Sequence, residues 1–195
     1  MIRIGIIGGI GAGKSFISKL FKYPVFNADD EVNYLYKNNK ECFKKLKKKL
    51  PKFIKSFPIK KHELIVAINK DKKNLKKISS IIHPLVRKKM AVFIRQNINR
   101  KMIILDVPLL IENKLYKKND ILIFVRSNKK TILNRLKNRP NYSKKVLKKL
   151  RDNQIILSKK KNLANYILDN NFSKHIMKKK IKLLKNKIFH ERNST

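Results

Sequence analysis

Glycine is missing from this chain after residue 13. All 5 glycines of the 195 residues fall between positions 5 and 13, and four of them lie within the six residues 8–13. Because glycine permits positive φ angles and a close approach of the backbone to a ligand, it is used where other residues do not fit. A chain that makes its other turns without glycine therefore has a physical reason to concentrate it here, and this stretch is the first candidate for a binding site.

Cysteine and long apolar segments are also scarce. The single cysteine, Cys42, excludes a disulfide bond within the chain and is typical of a reducing compartment. No apolar run is long enough to cross a bilayer, and the N-terminus shows no cleavable apolar segment. We therefore expect a cytoplasmic protein with no membrane partner, either a monomer or a weak oligomer.

Acidic residues are few, since 12 Asp and Glu stand against 51 Lys and Arg and give a formal net charge of +39. Such a charge is typical of proteins that bind nucleic acids by neutralising phosphates. It also results from an AT-rich coding sequence, which favours lysine, asparagine and isoleucine together. Arginine clusters and basic residues interleaved with aromatic ones are sparse. We therefore favour compositional bias and expect no specific nucleic-acid partner.

The glycine cluster has the spacing of a phosphate-binding loop. Gly8 is followed by four residues and then by Gly13-Lys14-Ser15. The preceding isoleucines predict a strand, and the apolar spacing after Ser15 predicts a helix, which is the context this motif requires. Lys14 can reach the β- and γ-phosphates of ATP, and the Ser15 hydroxyl can bind Mg²⁺. The residues assigned to ATP are Gly9, Gly11, Ala12, Gly13, Lys14, Ser15 and Phe16.

A carboxylate follows the second predicted strand. Val25 and Phe26 predict this strand, and Asp29 comes shortly after its carboxyl end. Since ligands of open α/β sheets bind at that edge, Asp29 is a candidate general base for an attacking hydroxyl. In the alternative interpretation, Asp29 or Asp30 caps a helix that begins near Glu31. Spacing alone does not decide between the two.

The next seventy residues, 31–100, predict helices and lack the long apolar strands of the rest of the chain. A helical insertion of this length can hold a second substrate. His83 lies within it, and a lone histidine is usually a packed or capping residue.

Beyond the insertion, the sequence predicts further strands at 102–107 and 121–125, and a last short strand and turn at 166–171. Asp106 ends the first of them, as expected of a carboxylate near Mg²⁺. Arg135 and Arg139 lie one turn apart on a predicted helix. The polar, basic segment 139–161 predicts either a lid that closes over polyphosphate or a solvated helical hairpin. The apolar stripe of a C-terminal helix consists of Met177, Ile181, Leu184 and Ile188.

Taken together, these stretches resemble the dephospho-CoA kinase family nearly from end to end. The loop alone indicates only a nucleotide triphosphatase, whereas the later motifs are much more specific. The segments that carry the resemblance are Gly8–Ser15, Asn27-Ala28-Asp29, Ile81-Ile82-His83-Pro84, Asp106-Val107-Pro108-Leu109-Leu110-Ile111-Glu112-Asn113, Leu115-Tyr116, Gln154 and Ile167-Leu168-Asp169-Asn170.

The resemblance implies an α/β P-loop NTPase fold of three layers with a five-stranded parallel sheet. It implies transfer of the γ-phosphoryl group of ATP, with Mg²⁺, to the 3′-hydroxyl of dephospho-CoA, giving CoA and ADP. The nucleotide-binding core would comprise residues 1–29, 101–138 and 162–195, with a helical CoA domain at 30–100 and a lid at 139–161.

The resemblance also implies a role for each matching residue. Asp29 matches the catalytic aspartate, and Lys14 acts with it. The remaining assignments are Arg135 and Arg139 for ATP, Asp29, His83, Pro108 and Leu109 for the acceptor, and Ser15 and Asp106 for Mg²⁺.

Several positions depart from the family pattern. Asn27 replaces the first aspartate of Asp-Ala-Asp, and His62 stands where an arginine is expected in the helical domain. Two lid arginines expected after Gln154 correspond to Leu157 and Lys160. Because lysine lacks the bidentate fork of arginine, and leucine has no charge, we expect weaker lid or substrate contacts. Two alternative functions remain. One is a kinase for another small acceptor with a hydroxyl group or for a nucleoside, and the other is a basic nucleic-acid-binding ATPase.

Overall fold

A computed structural model of the chain describes residues 1–138 and 154–193. The chain divides into two compact units, and each is described by itself. The first comprises Met1–Phe26 and Asn99–Thr195, and the second comprises Asn27–Ile98. Among the described residues, no helix has both the length and the apolar content that a membrane crossing requires.

A five-stranded parallel sheet organises the first unit, as the resemblance to the kinase family implies. Its strands are β1 (Ile2–Gly8), β2 (Val25–Asn27), β3 (Met102–Asp106), β4 (Ile121–Arg126) and β5 (Tyr166–Asp169). They are nearly continuous apolar runs because both faces of a parallel sheet are covered. The spatial order is β2-β3-β1-β4-β5. Because β1 pairs in parallel with both β3 and β4, the strand that leads into the glycine-rich loop is the central one.

Helices connect these strands and build the second unit. Where a Ser, Asn or Asp precedes a helix, its side chain can satisfy an exposed N–H group of the first turn. The described helices are α1 (Lys14–Leu20), α2 (Ala28–Asn38), α3 (Lys40–Lys49), α4 (Lys61–Lys70), α5 (Lys73–Gln96), α6 (Lys129–Lys137), α7 (Leu157–Asn162) and α8 (Lys174–Asn193).

The core of the first unit fixes where the glycine-rich loop ends. Ile17 of α1 and Phe21, which caps the end of this helix, are fully buried in a cluster with residues of β1, β3 and β4. The predicted stripe of α8 joins the same cluster through Met177, Ile181 and Ile188. Because a fully buried aliphatic or aromatic side chain contributes about 1.5–3 kcal/mol, α1 is held firmly at the end of the loop.

The second unit consists mainly of the helices α2 to α5, as predicted. Helix α5 runs for 24 residues and continues through Pro84 rather than breaking there. Its buried residues recur every four positions and form one inward stripe, which consists of Asn74, Ile78, Ile82, Val86 and Met90. The Asn74 side chain donates a hydrogen bond to the carbonyl of Ala67, which joins α5 to α4 at 2.9 Å.

Helix α2 begins earlier than the sequence predicted. Asn27 is its N-cap, and its side-chain oxygen accepts a hydrogen bond from the N–H of Asp30 at 3.1 Å. The interpretation that Asp29 or Asp30 caps a helix starting near Glu31 is therefore wrong. The helix could start three residues sooner because Asn27 already supplies a capping oxygen at the end of β2.

The predicted lid at 139–161 lies partly outside the described residues. Residues 139–153 are not described, and Arg139 is among them. The described remainder, from Gln154 onwards, contains α7 and leads into β5. α7 contacts β1, which places this helix at the glycine-rich loop.

Candidate functional site

The glycine-rich loop takes the backbone conformation that its sequence indicates. Gly8, Gly11 and Gly13 have φ angles of 142°, 81° and 89°. A Cβ atom at Gly8 would lie 2.5 Å from the carbonyl oxygen of Val125, and one at Gly13 would lie 2.4 Å from the side-chain nitrogen of Asn170. At these positions glycine is therefore required by both the φ angle and the available space, and a glycine-rich loop of this kind can turn several N–H groups toward an anion.

Lys14 folds back over this loop at the first turn of α1. Its Nζ donates hydrogen bonds to the carbonyls of Gly8 and Gly9, at 3.2 and 3.1 Å. Ser15 follows it and is exposed. The ammonium group and the N-terminal N–H groups of α1 therefore concentrate positive charge at one place, as an anionic phosphate chain requires.

Two polar side chains support the loop from behind, and the sequence analysis gave neither of them a role. Asn170 is 4% exposed, and its Nδ2 donates to the carbonyl of Ala12 at 2.8 Å. The Ser127 hydroxyl lies 3.1 Å from the same carbonyl and 2.9 Å from that of Asn170. Both residues directly follow strands of the sheet, at the edge where β1 ends. Their position after β4 and β5 was the available signal.

An aromatic and a guanidinium group lie at the start of α1. The guanidinium carbon of Arg135 is 3.9 Å from the centroid of the Phe172 ring, a cation–π contact. The Phe172 ring also lies 6.2 Å from that of Phe16 and would meet a Cβ at Gly13. Arg135 and Phe16, which were both predicted to bind ATP, thus lie near Phe172, a residue that was not predicted from the sequence. Arg139 is outside the described residues.

The end of β3 and the segment after it carry one predicted metal ligand, Asp106, and two predicted acceptor residues, Pro108 and Leu109. Asp106 ends β3 and is 3% exposed. Leu109 has a φ angle of 59°, and it lines a narrow cleft together with Lys14, whereas Pro108 is exposed. Among the described residues, no cluster of three or more His, Cys, Asp or Glu side chains could by itself hold a metal ion. The oxygen donors predicted for Mg²⁺ are the Asp106 carboxylate, at the end of β3, and the Ser15 hydroxyl, in the first turn of α1.

Glu112 and Lys160 make a closely enclosed ion pair in the same cleft. Lys160 Nζ lies 2.6 Å from Glu112 Oε1, and the two side chains are 4% and 12% exposed. Burial alone raises the pKa of Glu112, but the hydrogen bonds from Lys160 and from backbone N–H groups outweigh it, so that the pKa is lowered. One of the two positions where an arginine was expected is therefore occupied by a paired lysine. The other, Leu157, packs 3.5 Å from the Cβ position of Gly9.

The second unit contains a cavity of about 720 Å³, which is a typical size for a small-molecule site. Asp29, Tyr36 and His83 line it, together with aliphatic side chains of α4 and α5. Asp29 and Tyr36 are seven residues apart on α2, so that they share a helix face. Tyr36 was missed by the sequence analysis, although this spacing from Asp29 could have revealed it.

Burial perturbs two titratable groups of this cavity. It raises the pKa of Tyr36 to about 12, with a smaller contribution from Cys42. It lowers the pKa of His83, and the neighbouring Arg87 lowers it further. At neutral pH the cavity therefore offers a phenol hydroxyl and an uncharged imidazole, both of which can form hydrogen bonds with a polar ligand. His62, the other histidine noted in the sequence, is exposed on α4.

Sequence comparison identifies relatives that are dephospho-CoA kinases. The family profile of CoaE, dephospho-CoA kinase, matches residues 2–175. The dephospho-CoA kinase of Wolbachia pipientis wMel is 32% identical over 184 residues, which cover 92% of this chain and 94% of that protein. The dephospho-CoA kinase of Wolbachia sp. subsp. Brugia malayi is 34% identical, with 89% and 92% covered.

Solved structures share the fold. TT1252 from Thermus thermophilus superposes with a TM-score of 0.76 at 23% identity and covers 97% of both chains. A dephospho-CoA kinase from Campylobacter jejuni gives a TM-score of 0.66 at 19% identity, over 95% of this chain and 96% of that one. A shikimate kinase from Acinetobacter baumannii gives 0.52 at 16% identity, over 98% and 94%. These likenesses confirm the predicted P-loop kinase fold.

Proposed function

Because this chain belongs to the dephospho-CoA kinase family, we propose a division of that reaction among its residues. The enzyme is an ATP-dependent kinase that phosphorylates the 3′-hydroxyl of dephospho-CoA and gives CoA and ADP, the last step of coenzyme A biosynthesis. In our proposal the glycine-rich loop binds the phosphates of ATP. The cavity of the helical unit takes the acceptor, and Asp29 accepts the proton of its hydroxyl.

The ATP assignment rests on the shape and charge of the loop. Three glycines with positive φ angles and the first turn of α1 provide N–H groups for the phosphate oxygens. Lys14 already bonds to carbonyls of this loop, so its ammonium group is held where the β- and γ-phosphates would lie. Arg135, stacked on Phe172, provides a further cation beside Gly13. We extend the same role to Arg139 from its spacing alone.

The residues present suit a magnesium ion. Mg²⁺ prefers hard oxygen ligands and is usually bound by one or two protein groups together with the phosphates of the substrate. The Ser15 hydroxyl at the start of α1 and the Asp106 carboxylate at the end of β3 are such donors. The bound ion would neutralise charge on the transferring phosphoryl group. The protein's contribution is to hold these two oxygen donors on rigid elements.

The acceptor assignment rests on one observation: Asp29 lines the cavity of the helical unit instead of capping its helix. The cavity has enough volume for a large part of a nucleotide-like ligand, and its walls mix aliphatic with polar side chains. Tyr36 and His83 would orient the acceptor through hydrogen bonds. We assign Pro108 and Leu109 to the acceptor as well, since Leu109 lies in the same cleft as Lys14.

In the reaction, Asp29 removes the proton of the 3′-hydroxyl of dephospho-CoA. The 3′-oxygen attacks the γ-phosphorus of ATP in line with the leaving ADP. Lys14 and the loop N–H groups stabilise the charge that develops on the phosphoryl oxygens. Most of the acceleration then comes from positioning and electrostatics. We retain the expectation of a cytoplasmic enzyme without a specific nucleic-acid partner, active as a monomer or weak oligomer.

The base assignment is tested by replacing Asp29 and, as a matched control, its neighbour Asp30. Both carboxylates lie in the first turn of α2 and are exposed, but only Asp29 lines the cavity. Asp29→Asn should lower kcat by about 100-fold or more and leave the affinity for a fluorescent ATP analogue unchanged. Asp30→Asn should change kcat by less than about threefold. Near-normal turnover of Asp29→Asn would contradict the assignment.

A further inference from the structure

Glu112 and Lys160 form an ion pair that has no part in the reaction described above. Their side chains are 12% and 4% exposed, which is comparable with Arg3–Asp120, whereas the described pairs Lys45–Glu41 and Arg126–Asp169 are more than half exposed. An enclosed pair loses much of its hydration, and this cost is offset only by good geometry and further hydrogen bonds. We therefore ask which segments of the chain this enclosed ion pair joins.

A single carboxylate oxygen joins the segment after β3 to the segment that contains α7. Glu112 Oε1 accepts from Lys160 Nζ at 2.6 Å and from the backbone N–H of Ile155 at 3.0 Å. Both ends of the segment 155–160 therefore bond to the same atom, Glu112 Oε1. Glu112 lies six residues beyond the end of β3. The glycine-rich loop follows β1, which is a neighbouring strand of the same sheet.

This segment lies beside the glycine-rich loop. The two Cδ atoms of Leu157 would lie 3.5 Å from a Cβ atom added at Gly9, which is ordinary van der Waals distance. Gln154 and Lys160 line the narrow cleft that also contains Lys14 and Glu112. A displacement of α7 would therefore change the surroundings of the loop and of Lys14 at once.

We propose that Glu112 and Lys160 are positioning residues for ATP: together they fix α7 so that Leu157 covers Gly9 and the cleft around Lys14 keeps its shape. The inference rests on the proposed role of the loop as the ATP site but not on the identity of the acceptor. The lowered pKa of Glu112 supports it, because the carboxylate remains charged and paired at neutral pH.

The second oxygen of the carboxylate suggests a conservative variant. Glu112 Oε2 is buried and has no hydrogen-bond partner among the residues that the structure describes. The lysine directs its charge to Oε1 alone, whereas the planar fork of an arginine can donate to both oxygens of a carboxylate. Lys160→Arg should therefore keep the pair and raise Tm by about 2–4 °C.

The decisive variant removes both buried charges at once. In Glu112→Leu/Lys160→Met no unpaired charge is left behind, and such replacements of enclosed pairs are often neutral or stabilising. The hydrogen bond to Ile155 is lost as well. The proposal predicts that Tm stays near that of the unmodified protein while kcat/KM for ATP falls by about 10- to 100-fold. If the pair contributed only to stability, a double variant with an unchanged Tm would also have an unchanged kcat/KM for ATP.

Affinity for a fluorescent ATP analogue gives a readout that requires no turnover, measured well below the Tm of every variant. It also separates this inference from the proposed acceptor, since the comparison remains valid for a protein that does not phosphorylate dephospho-CoA. Lys161→Met is the matched control, because Lys161 is exposed on the same helix. We expect its Kd and kcat/KM to stay within about twofold of the unmodified protein.

Two results would overturn the inference. One is a double variant whose Kd and kcat/KM for ATP remain within about threefold of the unmodified protein. The other does not depend on that variant: Lys160→Gln breaks the ion pair and Lys160→Arg keeps it, so equal Kd values for the two would show that the pair does not position the site. The expected result is a Kd about 10-fold weaker for the glutamine variant.

Discussion

Replacing Gly13 by alanine tests whether the loop has the conformation described here. The φ angle of Gly13 is 89°, in the region that L-residues with a Cβ rarely adopt, and alanine there costs about 1–2 kcal/mol. The new Cβ would also lie 2.4 Å from Asn170 Nδ2 and 2.6 Å from the Phe172 ring. Asn170 cannot move without losing its 2.8 Å hydrogen bond to Ala12.

These two costs add to a measurable loss of stability. Breaking the hydrogen bond of a buried amide costs about 1–3 kcal/mol, so that the total is roughly 2–5 kcal/mol. For a chain of this length, the corresponding decrease in Tm is roughly 5–20 °C. The affinity for ATP should fall as well, because Gly13 precedes the first turn of α1, where the phosphates bind in our proposal.

Gly9→Ala is the control in the same loop. Its Cβ would meet only the Cδ atoms of Leu157, at 3.5 Å, which is ordinary van der Waals contact. We expect a change in stability of no more than about 0.5 kcal/mol, or roughly 2 °C in Tm. Thermal denaturation of both variants followed by circular dichroism makes the comparison. Equal changes in Tm for Gly9→Ala and Gly13→Ala would refute the reasoning.

Two further variants test the ATP and metal assignments. Lys14→Ala should weaken binding of a fluorescent ATP analogue and lower kcat, because it removes the ammonium group next to the loop carbonyls; an unchanged Kd would contradict the assignment. Asp106→Asn should raise the Mg²⁺ concentration needed for half-maximal activity by about 10-fold. A Mg²⁺ titration that coincides with that of the unmodified protein would exclude Asp106 from the metal site.

The sequence predicted most of the sheet and the loop because both depend on local patterns. Strands β1, β3 and β4 are nearly continuous apolar runs, which are typical of a parallel sheet that is covered on both faces. The loop motif combines glycine spacing with Lys14 and Ser15, so its backbone conformation was predictable as well. The apolar stripe of α8 followed from helical periodicity in the same way.

The predicted start of α2 was wrong for a physical reason. Asn27, Asp29 and Asp30 are all good capping residues, and the sequence does not reveal which oxygen reaches an exposed N–H group. The backbone leaves β2 at Asn27 and turns directly into the helix, so Asn27 takes the cap. Asp29 lies in the first turn of this helix and lines the cavity, which favours its proposed role as a base.

The contacts around the loop could not be predicted because they depend on tertiary structure. Asn170 and Ser127 converge on Ala12 from segments more than 100 residues away in the chain. Lys160 was interpreted as an imperfect substitute for an arginine, whereas it is an enclosed partner of Glu112. A pairing between residues 48 positions apart leaves no periodic signal in a single sequence.

The most direct test of the enzymatic assignment is a measurement of products from ATP, Mg²⁺ and purified protein, with and without dephospho-CoA. Chromatography with mass spectrometry would quantify ADP and CoA and locate the new phosphate. We expect equal amounts of ADP and CoA, with the phosphate on the 3′-oxygen, and little ADP without the acceptor. In a folded protein that binds ATP, ADP release without CoA formation, or release stimulated by RNA instead of dephospho-CoA, would contradict the assignment.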